Sequence, residues 1–446
     1  MRSISVIISC LFILFFITCS DEPVSPIDNQ NGDPNGDTDG PNGDEPSIEY
    51  CCIVSFGGLL RDGSLTRAYD MVATSDGGYV ITGQTNAYQG DFRGINTEGR
   101  AAVFLMKLDE NLEVVWVRTI GGTWGENKPY AMSKTPDGGF VVSGHFGSND
   151  GDFEGMLKGN HAVFIWKTDA DGHTEWLKGY GGTDWEYGRS IATTSDGGYI
   201  IAGYSGSDNL DFRMLRLGRN YIFLMKLNSA GGLEWIKPFG IDTPNANNYG
   251  EFVTEAPDGG FLVTGTFTNG DAVIIKTNPD GVQEWIWKRE RIDRYVGVNK
   301  IEILDNGRML VAGQNILMEM TADGEILWEK PLGLDITDMT VLSDGSFTAT
   351  GTARDNEELF REFNIYNRHM SVLHFDADGT LNWKNTIGGD HGDSGKSIVK
   401  ASDGGYILAG RGSSDERVLE GFKKGTHDYL FVVKVDENGR LIERGG

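Results

Sequence analysis

The chain has 446 residues with 63 Gly, 12 Pro and a formal charge of −26, from 65 acidic and 39 basic side chains. So acidic a surface is repelled by phosphate backbones, which excludes nucleic acid as a partner, and 22 Phe, 15 Tyr and 10 Trp exclude disorder over most of the length. Gly at about one residue in seven, roughly twice its usual share, predicts many tight turns and therefore many short strands.

Met1-Arg2 and an apolar run from Ile4 to Ile17 read as a secretory signal, too short for a bilayer core that needs about 20 residues. The run ends at Phe16-Ile17-Thr18-Cys19. This tetrapeptide resembles the lipobox of bacterial lipoproteins, with Thr18 where Gly or Ala is usual, and implies a signal over 1–18 and lipidation of Cys19. Ser20-Asp21-Glu22 resembles the acidic export signal of surface lipoproteins in the Bacteroidota, which implies an outer-membrane, cell-surface address, with the periplasmic face as the alternative. Residues 21–47 hold eight acids, five Pro, four Gly and no base. They cannot bury enough apolar surface to offset chain entropy, so 19–47 read as a flexible, self-repelling tether. Contact with the membrane is expected only through this lipid anchor.

From residue 48 onward one anchor recurs: Asp-Gly-Gly-aromatic, then apolar residues, then Gly. It stands at Asp76–Gly83, Asp137–Gly144, Asp196–Gly203, Asp258–Gly265 and Asp403–Gly410, with looser copies at Asn306–Gly313 and Asp344–Gly351. A turn and a Trp follow most copies, at Trp116, Trp176, Trp235, Trp285, Trp328 and Trp383, whereas the last copy has Glu443. Each unit predicts four strands; the third reads Arg189–Thr194, Tyr199–Tyr204, Tyr221–Leu227 and Leu233–Phe239. Seven such units predict an all-β, seven-bladed β-propeller over 48–446, monomeric, with the repeated Trp wedged between blades. Residues 49–58 align with 113–122, putting Cys52 in the Trp column. The N-terminal strand is therefore expected to close the last blade, which removes an open edge and leaves Cys51 and Cys52 without a redox task.

The pattern Gly-Gly, Thr-Ser-Asp-Gly-Gly-Tyr, Lys-Leu-Asp, Gly-x-x-x-Trp is similar to repeats of secreted propeller lipoproteins of the Bacteroidota, a resemblance that implies a fold and no particular reaction. Thr168–Trp176 also resembles the tryptophan-docking motif of pyrroloquinoline-quinone dehydrogenases, but those have eight blades and a Thr-Gly spacing missing here, so no cofactor is expected. Asp169-x-Asp171-Gly172 and Asp376-x-Asp378-Gly379 lack the remaining ligands of a calcium loop, and the seven His lack metal-ligand spacing, so no metal is expected. Lys107, Lys167, Lys226, Lys276 and Lys434 recur on the third strand, where pairing with an acid of the adjoining strand is expected. No nucleophile elbow or phosphate loop occurs, so no catalytic residues are assigned.

Long, irregular connections fall on one face of such a propeller, where function usually lives. They include Gly90–Gly99, Asn149–Lys158, Asn209–Arg219, Glu357–Arg368 and Glu416–Thr426. A shared Asp-Phe (Asp91-Phe92, Asp152-Phe153, Asp211-Phe212) predicts a packing role for those pairs. The segments between blades offer Trp124, Glu126, Tyr130, Asp184, Trp185, Tyr187, Tyr249, Asp390 and His391 as a candidate ligand site, aromatic area beside polar groups. The expected function is non-catalytic binding of a glycan, peptide or partner protein. The alternatives are a polysaccharide lyase or hydrolase using axial carboxylates, or an envelope scaffold. Arg2 and the eight tether acids aside, −19 remains on residues 48–446, which points to neutral or basic ligands.

Overall fold

The computed structural model divides the chain into units of 1–47 and 48–446. The described residues are 53–57, 65–93, 101–213, 218–291, 297–354, 358–363, 367–389, 391–414 and 428–442. Cys19, Cys51, Cys52, Asp390 and Glu443 lie outside them.

These residues form 28 strands in seven four-stranded antiparallel blades, a β-propeller, and among them there is no α-helix. Blade 2 is typical, with Asn127–Lys134 innermost, followed outward by Phe140–Phe146, Ala162–Thr168 and Thr174–Tyr180. The inner strands of blades 1 and 3–7 are Thr66–Ala73, Glu186–Thr193, Tyr249–Glu255, Gly297–Ile303, Asp335–Val341 and Ser394–Ala401. Ile53–Phe56 pairs antiparallel with Tyr429–Val435, Ile53 opposite Val433 and Phe56 opposite Leu430. The N-terminal segment thus supplies the outer strand of blade 7, as its alignment with 113–122 predicts.

The core is divided among seven clusters, each an interface between neighbouring blades. Between blades 1 and 2, Val80, Val103 and Leu105 pack against Phe140, Val142, Phe164 and Trp166. Blades consequently cannot be dry alone, and the ring stabilises itself by closing.

The repeated polar residues are explained by two devices. At the first turn of each regular blade the anchor Asp accepts the N–H of the second Gly, as Asp137 Oδ1 does from Gly139 at 3.1 Å. Its carboxylate also holds the third-strand Lys, buried in the first four of these pairs and partly exposed in the last: Lys107–Asp76 2.6 Å, Lys167–Asp137 2.8 Å, Lys226–Asp196 2.8 Å, Lys276–Asp258 2.6 Å and Lys434–Asp403 2.5 Å. An acid of the outer strand completes three of these pairs, Glu175, Glu234 and Glu284. Blade 5 inverts the pair, with Arg308 on Glu319, and blade 6 substitutes a neutral contact between His374 and Thr348.

The second device joins blades. Trp116, Trp176, Trp235, Trp285 and Trp328 each lie under the third-turn Gly of the following blade, and Trp383 lies under Gly439. Those glycines have φ between 70° and 87°, and a Cβ on Gly172 would stand 2.7 Å from the Trp116 ring. Gly is demanded both by conformation and by the ring. Blade 1 departs from this. Its third turn carries Leu112 at φ 66°, buried in the interface between blades 7 and 1.

The Asp-Phe pairs pack as predicted. Phe92, Phe153 and Phe212 are fully buried, and Asp91, Asp152 and Asp211 accept the N–H groups of Gly57, Gly121 and Gly181 at 2.9 Å. The long connections are thereby pinned to the ends of the outer strands.

Candidate ligand-binding site at the propeller axis

Every inner strand breaks register against its neighbour at one equivalent place, and that of blade 7 breaks it a second time at Lys400/Ala401. The residue skipped is Tyr69, Tyr130, Arg189, Glu251, Asn299, Thr337 or Lys396, one per blade. The cause is the repeated Gly that ends the anchor. At Gly144 a Cβ would lie 2.1 Å from the Lys128 carbonyl, at Gly203 1.8 Å from that of Tyr187, and at Gly351 1.9 Å from that of Asp335. Without a side chain there, the inner strand bulges inward, and such bulges re-aim a residue out of the ladder. Seven of them aim one residue per blade at the axis, around a cavity of about 590 Å³.

The seven bulge residues are of six kinds, although their surroundings repeat. Two flanking rows differ as well: Arg67, Lys128, Tyr187, Tyr249, Gly297, Asp335 and Ser394 on the inner strands, opposite Gln84, His145, Tyr204, Thr266, Gln314, Thr352 and Arg411 on the second. Together these rows make a funnel opening toward the connections between blades.

One wall of the funnel is aromatic. Ring centroids run from Tyr69 to Tyr130 at 6.1 Å, Tyr130 to His145 at 5.5 Å and His145 to Tyr187 at 4.6 Å. The run continues to Tyr204 at 4.7 Å and Tyr249 at 4.8 Å. Trp185 lies parallel to Tyr187 at 6.5 Å and tilts over His161 at 4.3 Å. His145 is buried, and neither of its ring nitrogens has a hydrogen-bond partner among the described residues; Glu126 Oε2 stands 3.8 Å away. Burial pushes the imidazole of His145 below its ordinary range and that of His161 down to about 4, so both are neutral at pH 7.

Cations occupy the middle of the funnel. Arg189 donates from Nε and Nη2 to Glu251 Oε2, at 2.9 and 2.7 Å, with its guanidinium 4.1 Å over the Tyr130 ring. The Lys128 ammonium lies 5.2 and 5.1 Å from the rings of Tyr69 and Tyr130.

The floor is a closed network. Lys300 Nζ is 3.0 Å from Asp338 Oδ1, and the Ser397 hydroxyl stands 2.8 Å from Asp338 Oδ2 and 3.3 Å from Asp70 Oδ1. Burial, with Asp338 adding to it, pushes Asp70 up to about 6, against the opposing pull of Lys300. Asp70 accepts the N–H of Met132 in the next blade at 2.8 Å, and Asp338 that of Ile398 at 3.0 Å. Both axial carboxylates therefore latch blades together.

Of the residues expected at a site, Tyr130, Trp185, Tyr187 and Tyr249 fall in the aromatic wall, with Glu126 beside His145 at its rim. Trp124 projects outward, 72% exposed. Asp184 is exposed; its N–H donates to Ser207 Oγ at 2.9 Å and its carbonyl accepts from Asn160, which fixes the connection. His391 is exposed on the connection between blades 6 and 7, donating its N–H to Ser414 Oγ at 3.0 Å. Asp169, Asp171 and His173 come close enough to share an ion, but Asp169 Oδ1 already accepts the N–H groups of Asp171 and His173 as an ordinary turn.

Sequence reasoning passed over Tyr69, Lys128, Arg189, Glu251 and Lys396. Each bulge residue stands fourteen positions ahead of the repeated Gly of its own blade, from Tyr69 before Gly83 to Lys396 before Gly410. A column that varies at a fixed distance from one that does not is the signal that finds them.

No protein-family model matches the chain, and no curated protein matches it. Solved structures do. A protein of unknown function from Bacteroides caccae is 14% identical, covering 65% of this chain and 92% of its own, with a TM-score of 0.41. A catalytically inactive virginiamycin B lyase from Staphylococcus aureus with quinupristin is 12% identical over 86% of this chain and 100% of its own, TM-score 0.49. The WD40 domain of Neurospora crassa Pan2 is 8% identical over 86% and 99%, TM-score 0.44. At such identities the likeness is one of architecture.

Proposed function

We propose that this chain is a lipoprotein, anchored through Cys19 at the bacterial outer membrane, whose axial funnel binds a glycan without transforming it. One observation carries the binding reading: at seven structurally equivalent bulges, where the fold asks for the same residue, the chain presents Tyr, Tyr, Arg, Glu, Asn, Thr and Lys. A purely structural ring has no use for that variety. Aromatic faces supply flat apolar area for sugar rings and the polar neighbours orient hydroxyls. Absence of turnover is favoured because the axial carboxylates that an acid–base pair would draw on are committed: Asp70 and Asp338 to backbone N–H groups of adjoining blades, Glu251 to Arg189 and Asp335 to the Asn299 side-chain amide.

A glycan array probed with the detergent-solubilised mature lipoprotein tests the reading, followed by product analysis on each hit. Retention without product supports it; product formation that disappears in Asp70→Asn would sink it. For the anchor, incorporation of labelled palmitate should vanish in Cys19→Ala. Digestion of intact cells by added protease separates the cell surface from the periplasmic face.

A further inference from the structure

The acidity of the chain is reversed along the wall of the funnel above the Asp70–Asp338–Lys300 floor. Residues 48–446 carry −19, yet among the bulge residues and their two flanking rows there are five cations and two carboxylates. Some of that charge is spoken for. Arg189 is neutralised by Glu251, while Arg67 and Arg411 share the single carboxylate of Asp428, at 2.5 and 3.0 Å. Lys128 and Lys396 have no carboxylate within 4 Å among the described residues. Both ammonium groups line the cavity, Lys396 from its bulge and Lys128 from between two tyrosine rings.

Holding two such groups in a half-buried funnel is unfavourable. Burial disfavours the charge on each; Asp335 offsets this in part at Lys396 and Glu126 at Lys128, while Arg411, Arg189 and Arg368 around Lys396, and Arg189 and Arg67 near Lys128, oppose the charge further. Elsewhere the same chain gives its buried Lys an Asp, and usually a Glu as well. An anion from outside would satisfy the axial pair in the same way, through charge-assisted hydrogen bonds.

We infer that Lys128 and Lys396 receive an anionic substituent of the bound saccharide, a carboxylate or a sulfate ester, while the tyrosine wall holds the sugar ring. This rests on the glycan reading above and names the class of glycan.

The test uses the mature lipoprotein and its Lys128→Gln/Lys396→Gln variant, titrated calorimetrically at constant ionic strength. Three probes are compared: the trimer of galacturonate, its full methyl ester, and the trimer of galactose 6-sulfate. At least one acid should bind the wild type about tenfold more tightly than the ester, and the ratio should fall to about twofold or less in the variant. Which acid does so distinguishes carboxylate from sulfate. An ester that binds as well as both acids, or a ratio the variant preserves, overturns the inference and leaves glycan binding standing. If no saccharide binds, inorganic sulfate separates the two ideas. Saturable thermal stabilisation of the wild type and not of the variant keeps the anion pocket and removes the glycan, whereas no response overturns the pocket.

Discussion

The outer parts of the blades and the funnel obey opposite rules. At the periphery the chain repeats itself: Lys167 and Lys276 each sit between an Asp and a Glu, and Trp116 and Trp235 each lie under a Gly of the next blade. At the axis, positions as equivalent as these carry Tyr130, Glu251 and Lys396. Quasi-symmetry acts as an internal control. A residue that recurs answers a demand of the fold, and one that varies on an identical backbone answers something else.

The comparison breaks if axial substitutions unfold the protein or peripheral ones spoil binding. The largest effect belongs to the Gly that makes the bulge. Gly203→Ala puts a Cβ on the Tyr187 carbonyl, so urea denaturation should register a loss of about 3 kcal/mol or more. Next comes the latch: Asp258→Asn with Glu284→Gln strands the buried Lys276 ammonium and should cost about 3 kcal/mol by the same assay. At the axis, Lys396→Gln should cost less than about 0.5 kcal/mol by that assay, since the charge it removes is disfavoured by burial and the attraction to Asp335 it forfeits offsets only part of that.

Acid separates the regions by sign. Lys107 and Thr74 hold Asp76 down to about 2, and Asp137 and Asp196, also at about 2, are held down against burial by Lys167 and Lys226. Their contribution is complete above the ordinary carboxylate value of 3.8 and is lost as the pH falls toward 2. Asp70 runs the other way: at about 6 in the fold, it penalises the native state increasingly as the pH rises from about 4 to about 6. Thermal melts should therefore show Asp70→Asn gaining on wild type across that window and staying level below it. A flat difference would remove the buried-carboxylate account of the floor.

Much of the fold was legible in the chain because turn chemistry and packing are local demands repeated seven times. The Asp-Gly-Gly turns, the Trp column and the closing strand Ile53–Phe56 all follow from it. The site was legible in part. Tyr130, Trp185, Tyr187 and Tyr249 stood out as aromatics between blades, as did Trp124, which is 72% exposed. The loops proved to be fastened by Phe92, Phe153 and Phe212. Arg189 and Lys396 were hidden because a search for recurrence discards what does not recur, and because net charge averages over a surface that sorts its charges by place. The expectation of neutral or basic ligands came from that average.

The departure at Leu112 has a consequence for assembly. Six junctions exchange an indole for an empty space, whereas at the junction of blades 7 and 1 the turn supplies the bulk itself. The ring therefore has a keyed seam. A strand bearing Trp has no room against the buried Leu112. Closure is directed to one partner, which guards a nearly symmetric chain against shutting on the wrong blade or trading end strands with a second copy.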